Sequence, residues 1–278
     1  MLDDASDYEL QTDEPPLPEE TRSPIRWIIA AVVIAAVGGA AWFYFSGRQA
    51  QPAPQAQSEA ATPVPVERPL GGQVDAIELP PLAETDPLVR QLVRGLSSHP
   101  VIAAWLATGG LLRSFTVAVD NIADGATPAP RLRMVRPTDR FRVIDREDGV
   151  LIDSRTYARY TPLAAAVDSL DADGVARLYA TLKPRIEDAY AELGRGRSFD
   201  VALETAIVAL LRTPAVDGDI RLVPMGAVSY GFADPRLERL TPAQKQLARM
   251  GPRNVRVIQD KLRQIAAALG IPGERLPR

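Results

Sequence analysis

The sequence predicts a mainly α fold, α+β only through a minor β-hairpin and short strands, behind a single N-terminal transmembrane helix. Three patterns predict it. Residues Trp27 to Phe45 run without a charge. From Leu88 to Leu269, apolar residues recur at steps of three and four, the period of a helix with one buried face. Only the stretches around residues 131–153 and 220–232 break that period in favour of short strands.

The uncharged stretch sets the first element. As a helix rising ~1.5 Å per residue it reaches ~28 Å, close to the hydrocarbon thickness of a bilayer. Trp27 stands at one end and Trp42 and Tyr44 at the other, where amphipathic rings sit at headgroup level. A cleaved signal peptide needs a short basic leader and a small-residue exit. Here the leader is acidic and the stretch ends in Trp-Phe-Tyr-Phe. Arg22 and Arg26 precede it and Arg48 follows it closely. Positive residues remain on the cytoplasmic side, so the expectation is a bacterial inner-membrane protein, N-terminus cytoplasmic and C-terminal domain periplasmic. Ala31, Ala35 and Gly39 allow close approach of a second span, or belong to an ordinary alanine-rich one.

Residues 1–26 carry eight acids against Arg22 and Arg26, and with their prolines are expected to be disordered. Residues 46–78 form a Pro/Ala/Gln-rich linker, with alternating prolines that favour an extended spacer. About 30 residues at ~3 Å each can reach ~90 Å. The soluble, mostly helical domain is expected over 79–278.

Within it, Asp86 before Pro87 is read as an N-cap with proline at the first helical position. Leu88, Leu92 and Leu96 follow. Pro100 opens a short helix through Trp105, and Gly109-Gly110 breaks the chain. Leu111 to Ala123 is a third helix with Leu112, Phe115, Val119 and Ile122 on one face. Phe141 to Ile152 reads as a hairpin with Asp148-Gly149 in the turn. Asp171 or Asp173 caps a long helix that Gly194 ends and Pro184 should kink. Ser198 caps the next, whose Ala206–Leu211 core is apolar nearly all round and marks a central element. Residues 220–223 and 228–232 are short strands. Thr241-Pro242 and Pro252 start the last two helices, and Gly270 and Pro272 stop the second of them.

Composition excludes several chemistries. There is no cysteine, so disulfides, thiolate metal sites and thiol nucleophiles are out. From Pro80 onward 28 bases face 23 acids, too mild a surplus for nucleic-acid binding. No glycine-rich phosphate loop or zinc-binding helix motif occurs, and no small-molecule cofactor is expected.

The candidate sites are few. His99 is the only histidine, a loop or capping residue unless an activated serine faces it. Asp200 with Glu204, and Glu187 with Glu192, are the carboxylate pairs available for glycosidic hydrolysis; pairing with arginine is the structural alternative. Arg131, Arg133, Arg136, Arg140 and Arg142 form the densest basic run, alternating with apolar residues as strands with a basic face would. They are candidate contacts for an anion or partner. Tyr157, Arg159 and Tyr160 are a candidate interface, or the packing of a helix junction.

Several segments together resemble a bacterial family of unknown function, DUF3014. They are Leu79-Pro-Pro-Leu with Asp86-Pro-Leu-Val-Arg, Trp105-Leu, Val119 to Gly125, Tyr157-Ala-Arg-Tyr, Phe232-Ala-Asp-Pro, and Leu240 to Pro252. The resemblance covers about residues 78–270. It implies a membrane anchor, a proline-rich spacer and a C-terminal domain of unknown role, with no catalytic residues to carry over. Two functional readings follow. One is a non-enzymatic envelope protein, bound to the lipid bilayer through 27–45, whose tethered domain holds a protein or cell-wall partner. The other is an enzyme acting on peptidoglycan or another envelope polymer through a carboxylate pair. A sensor is a third, for which the 26-residue tail is too short to be an output domain.

Overall fold

A computed structural model describes residues 69–277, apart from 73, 75, 76, 134, 135, 148, 227 and 228. The acidic tail, the span Trp27–Phe45 and the linker as far as residue 68 lie outside the described residues. The rest of the expected linker is not all spacer. Leu70 is 8% exposed. Its amide donates to Asp200 at 3.3 Å, and the Gly71 amide donates to the Leu269 carbonyl at 3.0 Å. Packing thus begins ahead of Leu79.

The described part is mainly helical with one small antiparallel sheet. Helices α1 (Asp86–Arg94), α2 (Pro100–Leu106) and α3 (Leu111–Ala123) come first. Strands β1 (Val143–Arg146) and β2 (Gly149–Ile152) follow, then α4 (Thr161–Asp168), α5 (Ala172–Ala191) and α6 (Phe199–Leu211). Strands β3 (Arg221–Pro224) and β4 (Tyr230–Phe232) lead to a short α7 (Pro235–Glu238), then α8 (Pro242–Ala248) and α9 (Pro252–Ala268). Short 3-10 turns cover Leu82–Glu84, Ala129–Arg131, Ser154–Tyr160 and Gly273–Arg275.

The core follows from the apolar spacing. Helix α6 packs against α3, α5, α8 and α9 and is central, as its composition predicts. Phe199, fully buried at its first turn, meets the rings of Tyr190 at 5.3 Å, Phe115 at 5.5 Å and Tyr179 at 6.2 Å. Asp171 and Ser198 cap α5 and α6 by accepting from Gly174 and Val201 amides. Pro184 lies inside α5, which continues through it. The strands form a meander, β1-β2-β3-β4. Ile152, Leu222 and Phe232 bury one face of it over Leu237 and Ala248, while Ile144 and Val223 stay exposed on the strands.

Three local expectations change. Arg146 pairs with Gly149, so the hairpin turn falls between them and Gly149 opens β2. The described residues between Arg131 and Arg142 form no strand; β1 starts at Val143. Pro130 precedes this basic run and Pro137 interrupts it, and proline cannot donate to a ladder. Asp86 is the first residue of α1 and Thr85 holds its N-cap position.

The Asp86 carboxylate instead serves a different helix. It accepts from the Gly110 amide at 2.8 Å and the Leu111 amide at 2.9 Å, at the start of α3. Gly110, at φ 64°, has no side chain to cap with. One turn on, Arg90 donates to the Leu106 and Thr108 carbonyls, both at 2.7 Å, closing the C-terminal end of α2. An i,i+4 pair on one helix thereby satisfies the open ends of two others. Asp86→Ala should lower stability by about 1–2 kcal/mol, as loss of an N-cap does. Urea unfolding of the full chain in detergent checks this, and Asp86→Asn should recover part of the loss.

Among the described residues no single helix is long and apolar enough to cross a membrane; α2 and α3 meet that length only as a pair bent by 111°.

Candidate functional site

Leu247, Met250 and Ile258 of an apolar cluster that also holds Ala164 and Val255 line a groove of about 740 Å³. Leu163 of α4 and Leu210 of α6 add to its apolar lining. Thr127, Pro128, Leu132, Arg133, Arg136 and Pro137 contribute from one wall segment, and Lys245 and Gln246 from α8.

The wall segment is fixed where it leaves α3. The Gly125 carbonyl accepts from the Ala243 amide at 3.1 Å, and the Thr127 hydroxyl donates to the Gln246 side chain. Thr127 Oγ1 also accepts from the Ala129 amide at 3.2 Å. Pro128, Pro130 and Pro137 of this segment cannot donate to a strand ladder, and its described residues form no strand.

The charge of the groove has one sign. Its lining among the described residues includes Arg133, Arg136, Lys245 and Arg249, and no acid. Arg133 and Arg136 are exposed. Lys245 is paired from behind by Glu238, whose carboxyl that ammonium, with the Phe232 amide, holds below its ordinary value. Arg249 donates to the Tyr230 carbonyl at 2.7 Å and stacks over the Phe232 ring at 4.8 Å; burial lowers its pKa. Tyr160 also lines the groove. Its hydroxyl accepts from Arg159 Nη2 at 3.1 Å, which leaves its own proton for another acceptor.

A family model described as a protein of unknown function, DUF3014, matches residues 111–266, more than half of the chain. The chain belongs to DUF3014. No curated protein and no solved structure matches it. The DUF3014 segment contains every residue that lines the groove.

The sequence-derived site residues divide around that groove. Arg133, Arg136 and Tyr160, drawn from two separate candidate clusters, meet in it. Arg131, Arg140 and Arg142 are exposed and do not line it. Arg159 stacks on Tyr160 at 4.7 Å and Phe141 at 5.4 Å and donates to the Asp139 carbonyl at 3.1 Å, so it positions Tyr160. Tyr157 is half-buried against the sheet cluster and lies over Gly251. Lys245 and Arg249 were not singled out in the sequence. Their i,i+4 spacing, from α8 to its C-cap Arg249, was the one available signal, and an ordinary solvated helix shows the same.

The carboxylates considered for catalysis all have structural partners. Glu204 pairs with Arg275 at 3.0 Å. Glu192 forms a two-bond contact with Arg113, which lowers its pKa. Glu187 accepts from the Phe199 amide at 3.1 Å, at the start of α6. Asp200 accepts from Tyr179 and Lys183, and burial with that carboxylate pushes the Tyr179 hydroxyl far up. His99 caps α2, its Nδ1 accepting from the Val101 amide at 3.2 Å. Among the described residues no group of three or more acids and histidines is placed to hold a metal.

One ionic network escaped the sequence reading altogether. Asp120 of α3, 2% exposed, accepts from Tyr190 at 2.9 Å, from Arg195 Nε at 2.9 Å and from Arg197 Nη2 at 2.8 Å. Arg197 also reaches Asp124 at 2.7 Å, and Arg195 does so at 3.0 Å. Burial raises the Asp120 pKa, but these donors outweigh it and hold the group below its usual value.

Proposed function

We propose that this DUF3014 protein is a non-enzymatic, membrane-anchored interaction module of the bacterial envelope. Residues 27–45 anchor it in the inner membrane, the acidic tail stays cytoplasmic, and the proline-rich linker holds the helical domain on the periplasmic side. The domain engages a protein or cell-wall partner. The observation that carries the binding half of this reading is the groove, whose lining joins apolar side chains with four cations and, among the described residues, no acid. A concave apolar surface with a few convergent polar groups is the usual form of a binding site. The alternative, an enzyme using a carboxylate pair, requires two acids free of arginine in a cleft, and Glu187, Glu192 and Glu204 are engaged as described.

The anchor half rests on the uncharged run, its aromatic ends and the flanking arginines. Protease added to spheroplasts should digest the domain, and deletion of residues 1–46 should release it from the membrane fraction. A domain that survives in spheroplasts, yet is digested after lysis, overturns the orientation. A full chain recovered in the soluble fraction overturns the anchor.

A further inference from the structure

We infer that the groove between the Thr127–Pro137 segment and α8 binds a short acidic peptide segment, one that alternates apolar and carboxylate side chains; this rests on the binding-module reading above. The argument is one of charge, shape and distribution. Four cations line the groove, Arg133, Arg136, Lys245 and Arg249, and no acid does among the described residues. Glu238 already pairs Lys245 and the Tyr230 carbonyl holds Arg249, so Arg133 and Arg136 are the two guanidinium groups open to a ligand. A ligand with a single anionic end meets one of them, whereas a peptide with carboxylates at intervals meets both. Between those carboxylates, apolar side chains meet Leu163, Leu210, Leu247 and Met250.

The volume suits a short segment. At about 740 Å³ it lies within the range of ligand pockets, roughly 300–1,000 Å³. Arg133 and Arg136 are exposed and have no side-chain partner among the described residues, so contact with a carboxylate breaks no existing bond there. Each offers the planar fork that fits a carboxylate with two parallel bonds. Tyr160 adds a hydroxyl donor to the groove lining, oriented by Arg159.

The test uses the full chain in nanodiscs of neutral lipid and a fluorescent octapeptide of alternating leucine and glutamate. Binding is followed by polarisation against empty nanodiscs. The peptide should bind, and raised salt should weaken it. Replacing its glutamates with glutamine, or its leucines with serine, should weaken it at least about tenfold. Arg133→Glu with Arg136→Glu should do the same, because like charges then face each other. Arg131→Glu with Arg140→Glu makes the same change of net charge outside the groove and should leave binding within about twofold. Equal losses in both double variants, or equal binding of the glutamine peptide, would overturn the proposal. So would dodecanoate binding in the groove while the peptide does not bind, which would make it a lipid site. Cross-links in cells from a photoreactive residue at Thr138, outside the lining, separate the two readings. A specific partner recovered there, with no peptide bound, leaves the module standing and removes the peptide groove.

Discussion

Replacing Asp120 with asparagine should lower stability by about 2–3 kcal/mol at neutral pH, with little change in side-chain volume. Breaking a buried pair from one side costs roughly 3–5 kcal/mol, and the two guanidinium groups here are part exposed, which reduces the figure. Asp120 is 2% exposed and takes donors from Tyr190, Arg195 and Arg197 at once. The asparagine oxygen can keep some of these bonds, but its amide presents hydrogens to guanidinium hydrogens. Only Asp124, at the end of α3, then remains to balance both arginines. The segment between α5 and α6 carries those arginines, so it should lose protection in hydrogen exchange first. Tyr190→Phe removes two bonds of the same network, the one donated to Asp120 and the one accepted from Arg197 Nε, and should cost about 1–3 kcal/mol.

The pH dependence of this effect has a definite sign. The Asp120 pKa is lower in the folded chain than its ordinary value. A carboxyl shifted down contributes stability that is present above the unfolded pKa of about 3.9 and is lost as pH falls through the folded value. The difference between the wild-type chain and Asp120→Asn should therefore persist from neutral pH to about pH 5 and shrink below about pH 4. Urea midpoints of both chains across that range decide it. A difference that stays constant down to acid pH would assign the loss to packing and not to charge.

Why this network was hidden in the sequence shows where periodicity stops informing. The stripe Leu112, Phe115, Val119 and Ile122 locates α3 and its bounds, because spacing alone decides which residues can share a face. Asp120 sits beside that stripe and reads as the start of the polar face. Its burial depends on Arg195 and Arg197 arriving from a connection some seventy-five residues later. The same holds for Asp86, whose local role as a cap is the simplest reading of Asp-Pro. The backbone places its carboxylate against Gly110 instead, a distance of 24 residues that no local rule contains. The groove is the strongest case. Arg133, Tyr160 and Lys245 come from three separate regions of the chain, and only packing of α4, α8 and α9 brings them together. Elements were legible because they obey short-range rules; the site was legible only as fragments. The basic run misled for a related reason. Its alternation mimics a strand, while Pro130 before it and Pro137 within it argue against one.

Gly251→Ala should be the most damaging small substitution in the domain, costing roughly 3 kcal/mol or more from two independent sources. Gly251 has φ 86° and ψ 155°, a combination that glycine alone adopts freely. A Cβ there would also stand 2.4 Å from Cγ and 2.6 Å from Cδ2 of the Tyr157 ring. Tyr157 has no easy retreat. It packs into the sheet cluster, and its carbonyl accepts from Asn254 Nδ2 at 2.9 Å, one turn into α9. Asn254 also donates to the Met250 carbonyl at 2.8 Å, so the start of α9 is fastened on both sides of the glycine. The two sources can be separated. In a Tyr157→Ala background the ring is gone, and Gly251→Ala should then cost only the backbone part, about 1–3 kcal/mol. Equal costs in the two backgrounds would show that the ring yields and that backbone conformation alone fixes the glycine. A smaller cost beside alanine assigns the rest to ring contact, and makes Tyr157 a packing partner of the α9 start, three residues before the groove-lining Tyr160.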